Sequence, residues 1–380
     1  MPRTRTRFAL VSGVIVVLAL LAACGSDDSA SSNEPVLRAC PSDTPPVGAA
    51  GGGGAGPTGL TVAKTIAPSD TSTSVVIDPT KSPQIQCGRV EIQTHSDVVY
   101  STPTSAGKAV PLKLNVQGPK TEGAKPLVVY LSGGGFVMSS TQAALSHRTF
   151  VAEAGYVVAS VQYRTTANSA IYVDGITDVK AAIRYLRAHA ADYGIDPTHV
   201  AVWGESAGGY LAAMVGTNNG VKKYEAGENL DESSDVQAVV NEFGASDLAR
   251  TASDFDAAAQ AAWDAPGSSI AAYVFGPGTK KSVNSDPAAV AAASPMSTID
   301  GTDPAFLMFH GSADKLISPS QTLLLHTALR KAGVDSTRYV VTGAGHGDLA
   351  FGTDAATVGL WSTQEVMGHI TTFLSDKLHS

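Results

Sequence analysis

A serine between two glycines is the first group of residues in this sequence that could do chemistry. Residues 204–208 read Gly-Glu-Ser-Ala-Gly and match the pattern G-x-S-x-G, in which a sharp turn between a strand and a helix exposes the serine oxygen. The apolar residues 200–203 predict a buried strand directly before this turn, and residues 209–214 predict the start of a helix directly after it. Ser206 is therefore expected to be a nucleophile rather than a capping serine in a glycine-rich turn.

A candidate acid and a candidate base follow the serine in the chain. Asp314 comes just after the apolar residues 306–309, and His346 lies in a glycine-rich segment beyond a predicted strand at 337–342. The order serine, acid, histidine is one that Ser-Asp-His triads use. His346 is expected to take the proton of Ser206, and Asp314 is expected to hold the imidazole in the required tautomer.

Three other residues compete for these two roles. His310 is a rival base, but it lies at the end of a predicted buried strand beside the proposed acid and is more simply interpreted as structural. Asp247 follows the preceding strand and is the rival acid. Asp348 is too close to His346 in sequence to orient its ring.

A second glycine-rich loop follows another short apolar strand. Residues 132–136 read Ser-Gly-Gly-Gly-Phe and come directly after the predicted strand 127–131. Glycines let backbone N–H groups approach a substrate oxygen without a Cβ atom in the way. A phosphate-binding loop is disfavoured, because neither a Lys-Ser/Thr pair nor a spaced G-x-G-x-x-G accompanies these glycines.

These motifs resemble the α/β-hydrolase fold, particularly the carboxylesterases related to hormone-sensitive lipase and neighbouring acyl-ester hydrolases. The resemblance covers residues 97–377 and includes Gln-Tyr-Arg at 162–164, Tyr-Gly-Ile-Asp-Pro at 193–197 and His-Gly-Ser-Ala-Asp at 310–314. It implies an oxyanion hole formed by Gly134, Gly135 and the N–H of Ala207. It also implies a carboxylic-ester hydrolase that acts on small or short-chain acyl esters through a covalent acyl-enzyme, with neither a metal nor an organic cofactor.

The glycine loop departs from the pattern of this family at one position. The loop of the family usually begins with a histidine that braces it, and here it begins with Ser132. Phe136, Val137 and Met138 directly follow the oxyanion glycines, so their side chains are expected to form the wall of the acyl pocket.

Two alternative functions remain open at this point. A serine peptidase or a thioesterase on the same fold would use the same triad, which does not dictate the leaving group. A catalytically silent lipoprotein could instead use the fold to bind a ligand or partner. The intact serine, acid, histidine and glycine loop argue against the silent alternative.

The elements around these motifs predict an α/β architecture with a mostly parallel central sheet and helices on both faces. Short β-branched runs alternate with helical patterns, which is typical of such sheets. Strands are predicted at 97–101, 110–117, 127–131, 157–162, 199–203, 237–243, 304–309 and 337–342. Helices are predicted at 141–154, 173–192, 207–216, 319–332 and 363–377.

Two segments of the predicted catalytic domain, residues 61–380, do not fit this alternation. Residues 245–303 are rich in Ala, Ser, Asp and Gly, and an insertion of that length is expected to form a small, partial lid. Residues 61–94 form an N-terminal extension in which 75–77 could be a short strand, although neighbouring prolines weaken that interpretation.

The first residues are predicted to be an export signal rather than part of the fold. Arginines at positions 3, 5 and 7 precede a mostly apolar run over 8–23, which is shorter than the about 20 apolar residues of a membrane-spanning helix. Its end, Leu-Ala-Ala-Cys at 21–24, resembles the lipobox of bacterial lipoproteins. The resemblance implies that residues 1–23 are a signal peptide, that Cys24 is lipidated, and that the protein lies on the extracytoplasmic face of a bacterial membrane. An ordinary signal peptide and a secreted protein remain the alternative.

Residues 24–60 are rich in Ser, Asp, Pro and Gly and predict a flexible tether. The remaining cysteines, Cys40 and Cys87, are an even pair in an exported chain, so a disulfide between them is predicted, with two unpaired thiols as the alternative. Neither cysteine has metal-ligand spacing. A net charge of −8 makes nucleic acid an unfavourable partner, so the expected partners are a small-molecule ester and a membrane reached through the lipid alone.

Overall fold

The β-branched runs of the sequence form one nine-stranded sheet in the computed structural model of the protein. Each predicted strand is present, although β4 and β10 begin several residues earlier than predicted. The strands of the described residues are β1 (Arg38–Ala39), β2 (Val75–Ile77), β3 (Gln86–Cys87), β4 (Ile92–Ser101), β5 (Thr104–Ser105), β6 (Lys108–Ala109), β7 (Leu112–Pro119), β8 (Lys125–Leu131), β9 (Val157–Val161), β10 (Ile195–Glu205), β11 (Ala238–Glu242), β12 (Ala305–Gly311) and β13 (Ser336–Val341).

The structure describes residues 35–42, 61–347 and 359–379. Contacts divide the chain into the units Met1–Glu34 and Pro35–Ser380, and every described residue belongs to the second unit. The predicted export signal, Cys24, most of the predicted tether and Asp348 lie outside the described residues. Among the helices that are described, none is both long and apolar enough to cross a membrane.

The sheet is mostly parallel, as predicted. Its strand order is β2-β13-β12-β11-β10-β8-β9-β7-β4, and only the pairs β9–β7 and β7–β4 are antiparallel. Strands β8, β10, β11, β12 and β13 therefore all end at the same edge. Ligands of open α/β sheets bind outside the carboxyl ends of the strands, and the predicted catalytic residues follow β8, β10, β12 and β13.

The short segment 75–77 is an edge strand of this sheet. Val75, Val76 and Ile77 pair in parallel with 339–341 of β13. The nearby prolines do not disturb this pairing because they lie outside the three paired residues. The N-terminal extension therefore completes one end of the sheet.

Helices cover both faces of the sheet because alternate strand residues point to opposite sides. The α-helices of the described residues are α1 (Leu145–Glu153), α2 (Tyr172–Ala188), α3 (Ala190–Tyr193), α4 (Ala207–Gly216), α5 (Ala257–Trp263), α6 (Ser269–Phe275), α7 (Pro287–Ala292), α8 (Ser320–Ala332) and α9 (Gln364–Leu378). Helices α2, α4 and α8 pack in one apolar core with Val129 and Val202, whereas α1 and α9 pack in the other with Val128 and Trp203.

The predicted helix at 173–192 is interrupted near its end. The chain forms α2, passes through His189 and continues as the short α3, which ends at Gly194 in the left-handed conformation. The segment 245–303, predicted as a partial lid, contains α5, α6 and α7 together with short 3₁₀ turns.

A disulfide joins Cys40 to Cys87. It links β1 to β3, which pair in antiparallel fashion. The cysteines predicted as a pair are therefore bridged, and the bond joins residues 35–42 covalently to the segment that begins at residue 61.

Candidate active site

Ser206 lies at the turn between β10 and α4. Its backbone has φ 54° and ψ −118°, a left-handed φ that non-glycine residues rarely adopt. Its N–H donates to the carbonyl of Glu242 at 2.9 Å, which fixes the turn against the neighbouring strand β11. The arrangement exposes the serine side chain at the carboxyl edge of the sheet, as the motif predicts.

The two glycines of the motif are required by close backbone approaches. A Cβ atom at Gly204 would lie 2.2 Å from the carbonyl oxygen of Gly208. A Cβ atom at Gly208 would lie 2.1 Å from the carbonyl oxygen of Leu131. A side chain at Gly204 would separate the end of β10 from the start of α4, and a side chain at Gly208 would push the turn away from β8. Either change would displace the serine.

His346 lies in the loop that follows β13. This loop is tied to the loop after β12, because the N–H of Ala313 donates to the carbonyl of Ala344 at 2.9 Å and the N–H of Gly343 donates to Oγ of Ser312 at 2.9 Å. The imidazole packs edge-on against Phe243, with ring centroids 4.8 Å apart. The base and the acid thus come from two loops that hold each other in place.

The structure brings the three predicted triad residues into hydrogen-bond contact. Nε2 of His346 lies 2.8 Å from Oγ of Ser206, and Nδ1 of His346 lies 2.7 Å from Oδ2 of Asp314. The carboxylate only accepts, so Nδ1 carries the proton and Nε2 faces the serine hydroxyl as an acceptor. This is the tautomer in which a histidine can take the proton of a serine.

Asp314 is fully buried and fully hydrogen-bonded. Its Oδ1 accepts from the backbone N–H groups of Leu316 and Ile317 at 2.8 and 3.0 Å. Burial alone would raise the pKa of Asp314. The positive charge that His346 can carry, together with hydrogen bonds from His310 and His346, outweighs burial and lowers this pKa well below its ordinary value. The carboxylate is therefore ionised at any pH at which the protein would act.

The rivals for these roles have other contacts. His310 does not contact Ser206 in the described hydrogen bonds, and its Nε2 lies 3.2 Å from Oδ2 of Asp314. Asp247 caps the 3₁₀ turn Leu248–Arg250, where its carboxylate accepts from the N–H of Ala249. Asp348 lies outside the described residues.

Two hydrogen bonds of Ser132 stabilise the glycine loop. Its Oγ accepts from the N–H of Ser140 at 2.9 Å, which closes the loop from its far end. Its carbonyl accepts from the hydroxyl of Tyr163 at 2.7 Å. Burial raises the pKa of Tyr163, so this hydroxyl stays protonated and keeps donating. The neighbouring Arg164 forms a buried ion pair with Asp178 and fixes the segment that carries Tyr163.

Two segments present the backbone N–H groups assigned to the oxyanion hole. A Cβ atom on Gly133 would lie 3.1 Å from Cβ of Ser206, so the glycine loop passes directly beside the nucleophile. Ala207 begins α4, and N–H groups in the first turn of a helix have no partner within it. Within the described residues, the N–H groups of Gly134, Gly135 and Ala207 have no acceptor. They remain available to an anionic oxygen.

A very small cavity lies beside Ser206. Its volume is about 10 Å³, about the smallest space that holds one water molecule. The residues that line it come from the glycine loop, the start of α4, the lid segment and the loop after the acid; they are Gly135, Phe136, Ser206, Ala207, Ala245, Trp263, Ser269, Leu316 and Ile317. Among the described residues, this small cavity is the space next to the predicted nucleophile.

Phe136 is the only one of the three expected wall residues that lines this cavity. Its backbone has φ 66°, and its ring stacks on Tyr273 of α6 with centroids 4.5 Å apart. The left-handed turn redirects the chain, so that Met138 is 40% exposed and Val137 is half-buried outside the cavity lining. Val137 and Met138 do not line this cavity, and their part in an acyl pocket stays a prediction.

Other cavity residues were not identified from the sequence. Trp263 and Ser269 lie on α5 and α6, and their place in the cavity lining depends on how the 245–303 segment folds. No local pattern encodes that packing. Leu316 and Ile317 could have been inferred, because they lie two and three residues after the acid. Among the described residues, no cluster of three or more His, Cys, Asp or Glu side chains could hold a metal ion.

Comparisons with known proteins point to one group of enzymes. The BD-FAE family model matches residues 114–329, more than half of the chain. Esterase LipC of Mycobacterium tuberculosis is 30% identical over 229 residues, which are 58% of this chain and 53% of LipC. The chain spans about half the length of the curated mycobacterial esterases that it matches.

Solved structures match more of the chain. A truncated carbohydrate esterase from gut microbiota has a TM-score of 0.64 and 27% identity, and the match covers 76% of this chain and 97% of that one. Esterase 2 of Thermogutta terrifontis, solved after phosphorylation by paraoxon, has a TM-score of 0.56 and 26% identity, with 74% and 93% covered. These similarities confirm the predicted α/β-hydrolase fold.

Proposed function

The chain belongs to the BD-FAE family, and we propose that it is a serine carboxylic-ester hydrolase that forms a covalent acyl-enzyme on Ser206. The observation that carries this proposal is the continuous hydrogen-bonded line from Ser206 through His346 to Asp314, at 2.8 and 2.7 Å. A nucleophile, a base and an orienting acid in contact are the arrangement that activates a serine hydroxyl.

In the acylation step, Nε2 of His346 takes the proton of Ser206 as Oγ attacks the ester carbonyl. Asp314 stabilises the imidazolium ion that forms and keeps its proton on Nδ1. The carbonyl oxygen becomes an oxyanion and accepts from the N–H groups of Gly134, Gly135 and Ala207, each worth about 3–4 kcal/mol in the transition state. His346 then returns the proton to the departing alkoxide, and an alcohol leaves.

In the deacylation step, water replaces the alcohol. His346 takes one proton from the water as its oxygen attacks the acyl carbonyl on Ser206. The tetrahedral intermediate uses the same oxyanion donors. Its collapse releases a carboxylic acid, and His346 returns the proton to Oγ of Ser206.

The cavity beside Ser206 supports a short acyl group. A volume of about 10 Å³ between Phe136, Trp263 and Ile317 admits a methyl group far better than a longer chain. Within this proposal the preferred substrates are acetyl esters. The carbohydrate esterase and the esterases among the similar proteins support ester chemistry, although they do not fix the alcohol.

We further propose that the enzyme acts outside the cytoplasm, attached to a bacterial membrane through a lipid on Cys24. The sequence features that support this are the apolar run over 8–23, the Leu-Ala-Ala-Cys ending at 24 and the polar segment after it. Two or three acyl chains would hold the protein firmly, since each buried methylene contributes about 0.8 kcal/mol.

Hydrolysis of p-nitrophenyl esters of graded acyl length tests the proposed activity. We expect the highest kcat/KM with the acetyl ester, a steep fall by the hexanoyl ester, and loss of nearly all turnover in Ser206→Ala. Peptide and thioester substrates are assayed in parallel. Faster turnover of either than of any oxygen ester would contradict the proposal in favour of a peptidase or a thioesterase. Binding of esters with no turnover would indicate a silent protein.

A further inference from the structure

A second buried histidine touches the acid of the triad. His310 is the sixth residue of β12 and is completely buried. Its Nε2 lies 3.2 Å from Oδ2 of Asp314 and 3.1 Å from the carbonyl oxygen of Ile317. Oδ2 is the same oxygen that accepts from His346. One carboxylate oxygen is therefore shared by two imidazoles.

The hydrogen bonds determine which nitrogen of His310 carries the proton. The carbonyl oxygen of Ile317 can only accept, so Nε2 must be the donor. Nδ1 lies 3.1 Å from Oγ1 of Thr322, and this hydroxyl already accepts from Nε of Arg338 at 2.9 Å. The threonine hydroxyl can donate its own proton to Nδ1. The carbonyl of Ile317 requires a proton on Nε2 of His310.

Three elements anchor this arrangement. Thr322 comes from α8, Arg338 from β13 and His310 from β12, and all three side chains are at most 1% exposed. Arg338 is itself fixed by donating to Oγ of Ser74 and to the carbonyl of Pro319. The orientation of His310 is therefore set by the fold and does not depend on solvent.

We infer that His310 is a positioning residue for catalysis: its Nε2, whose proton is donated to the carbonyl of Ile317, also lies 3.2 Å from Oδ2 of Asp314, keeps this oxygen in line with His346 and limits the negative charge that the oxygen presents to the catalytic imidazole. The inference rests on the proposed function of the triad. His310 does not touch the reacting atoms and acts through Asp314 alone.

Loss of the Nε2–H donor is expected to move the pH profile of kcat/KM in one direction. Oδ2 of Asp314 would then accept from His346 only, and its charge would stabilise the imidazolium form of His346 more strongly. The acid limb of the pH profile of kcat/KM reports protonation of the free base, so it would move to higher pH. One hydrogen bond of ordinary strength corresponds to a shift of roughly half to one pH unit.

Few ionisable groups face this network. Within the described residues, those that act on the Asp314 carboxylate are His310 and His346. Those that act on Arg338 are Asp254 and Asp70, and burial lowers the pKa of Arg338 to about 10. Arg338 therefore stays charged throughout the pH range of the assay, and its state does not change along the profile.

The chain offers a matched control in His326. This histidine of α8 is also buried, with its Nδ1 2.8 Å from Oγ of Ser336 and its Nε2 3.1 Å from the carbonyl oxygen of Thr73. It has the same hydroxyl and carbonyl partners as His310 but contacts no carboxylate. Substitution of either histidine removes the same kind of hydrogen bonds from the core.

The test compares His310→Asn, His310→Gln and His326→Asn in the full-length enzyme. Asn places an amide near Nδ1, whereas Gln reaches the position of Nε2 and can still donate to Asp314. We expect the acid limb to move up by roughly half to one pH unit in His310→Asn and to stay in place in the other two. An unmoved limb in His310→Asn, or an equal shift in His326→Asn, would overturn the inference.

A measurement on the unmutated enzyme covers the case in which His310→Asn does not fold. NMR of ¹⁵N-labelled histidine is expected to show a proton on Nε2 of His310. An Nε2 of His310 without a proton would overturn the inference even if the enzyme hydrolyses esters. Failure of the proposed function gives a different result, because the wild-type protein would then have no ester turnover to profile.

Discussion

Ser206 combines an unfavourable backbone with a favourable hydrogen-bonded side chain. A non-glycine residue at φ 54° costs on the order of 1–3 kcal/mol, and packing around it must offset that cost. The bond from its N–H to the carbonyl of Glu242 and the close fit of Gly204 and Gly208 provide this support. The motif could be interpreted from sequence because these local requirements leave glycine as the only residue that fits on either side.

The two candidate acids differ in what their carboxylates touch. Asp314 contacts His346, whereas Asp247 caps a short 3₁₀ turn. Asp314→Asn is expected to lower kcat about 10⁴-fold, because the amide favours the wrong tautomer of the base. Asp247→Asn is expected to stay close to wild type, since Asn caps a turn about as well as Asp. Steady-state kinetics of both variants test this expectation. If Asp247→Asn loses far more kcat than Asp314→Asn, the acid of the triad is Asp247.

Phe136 lines the small cavity beside Ser206, and its ring is fixed by stacking on Tyr273. Removal of its ring in Phe136→Ala would enlarge the cavity next to Ser206, so acyl preference is expected to shift from acetyl toward butanoyl or longer esters. Met138→Ala is the control, because Met138 is 40% exposed and lies outside the cavity lining. Chain-length profiles of the two variants are compared. An unchanged profile in Phe136→Ala would remove this residue from the pocket.

Sequence motifs predicted which three residues meet at the proposed catalytic site better than they predicted the walls of the cavity. Ser206, Asp314 and His346 each follow a predicted strand, so parallel pairing alone brings them to one edge of the sheet. The walls depend on longer-range packing. Trp263 reaches the cavity through the fold of the lid segment, and Met138 leaves it because of a left-handed turn at Phe136. No period or composition in the chain encodes either feature.

At the scale of elements, β-branched runs predicted the sheet because its central strands are buried on both faces. Such strands contain nearly continuous apolar runs, which stand out from the surrounding sequence. The edge strand β2 was harder to identify, since Val75 and Val76 are about half exposed and only three residues pair. The break between α2 and α3 was missed because His189 interrupts a helical pattern without a glycine or proline.

Within the described residues, a disulfide joins β1 to β3. It closes a loop with a sequence separation of 47 residues, for which the chain-entropy model gives up to about 4 kcal/mol. The Cys40→Ser/Cys87→Ser double variant is therefore expected to lose about 2–4 kcal/mol in free energy of unfolding. Urea denaturation with and without reductant measures this loss. Ester turnover is expected to persist, because neither cysteine lines the cavity.

A different outcome would change the assignment of the bridge. If the double variant unfolds at the same urea concentration as wild type, and reductant has no effect on either, Cys40 and Cys87 are not bridged in the protein. An unfolding midpoint that falls with reductant only in wild type supports the bond.

At the scale of the whole molecule, the proposed hydrolase activity and the proposed membrane attachment depend on different parts of the chain. The family model matches residues 114–329, whereas attachment to a membrane depends on Cys24, which lies outside the described residues. If Cys24 is lipidated, the mature protein is expected to partition into detergent, and Cys24→Ser is expected to release it or to leave an unprocessed precursor. Intact mass spectrometry after expression in a bacterial host that processes lipoproteins measures the modification. An unmodified N-terminus beyond residue 24 in a water-soluble protein would show simple secretion instead.

Covalent labelling with paraoxon tests the assignment of Ser206 as the nucleophile most directly. Esterase 2 of Thermogutta terrifontis, which shares this fold, was solved in its phosphorylated form after reaction with paraoxon. One diethylphosphoryl group per chain is expected here, on the peptide that contains Ser206, with loss of ester turnover in proportion to labelling. Ser206→Ala should remain unlabelled, and His346→Ala should label far more slowly. A label on another residue, or equal labelling of Ser206→Ala, would contradict the assignment.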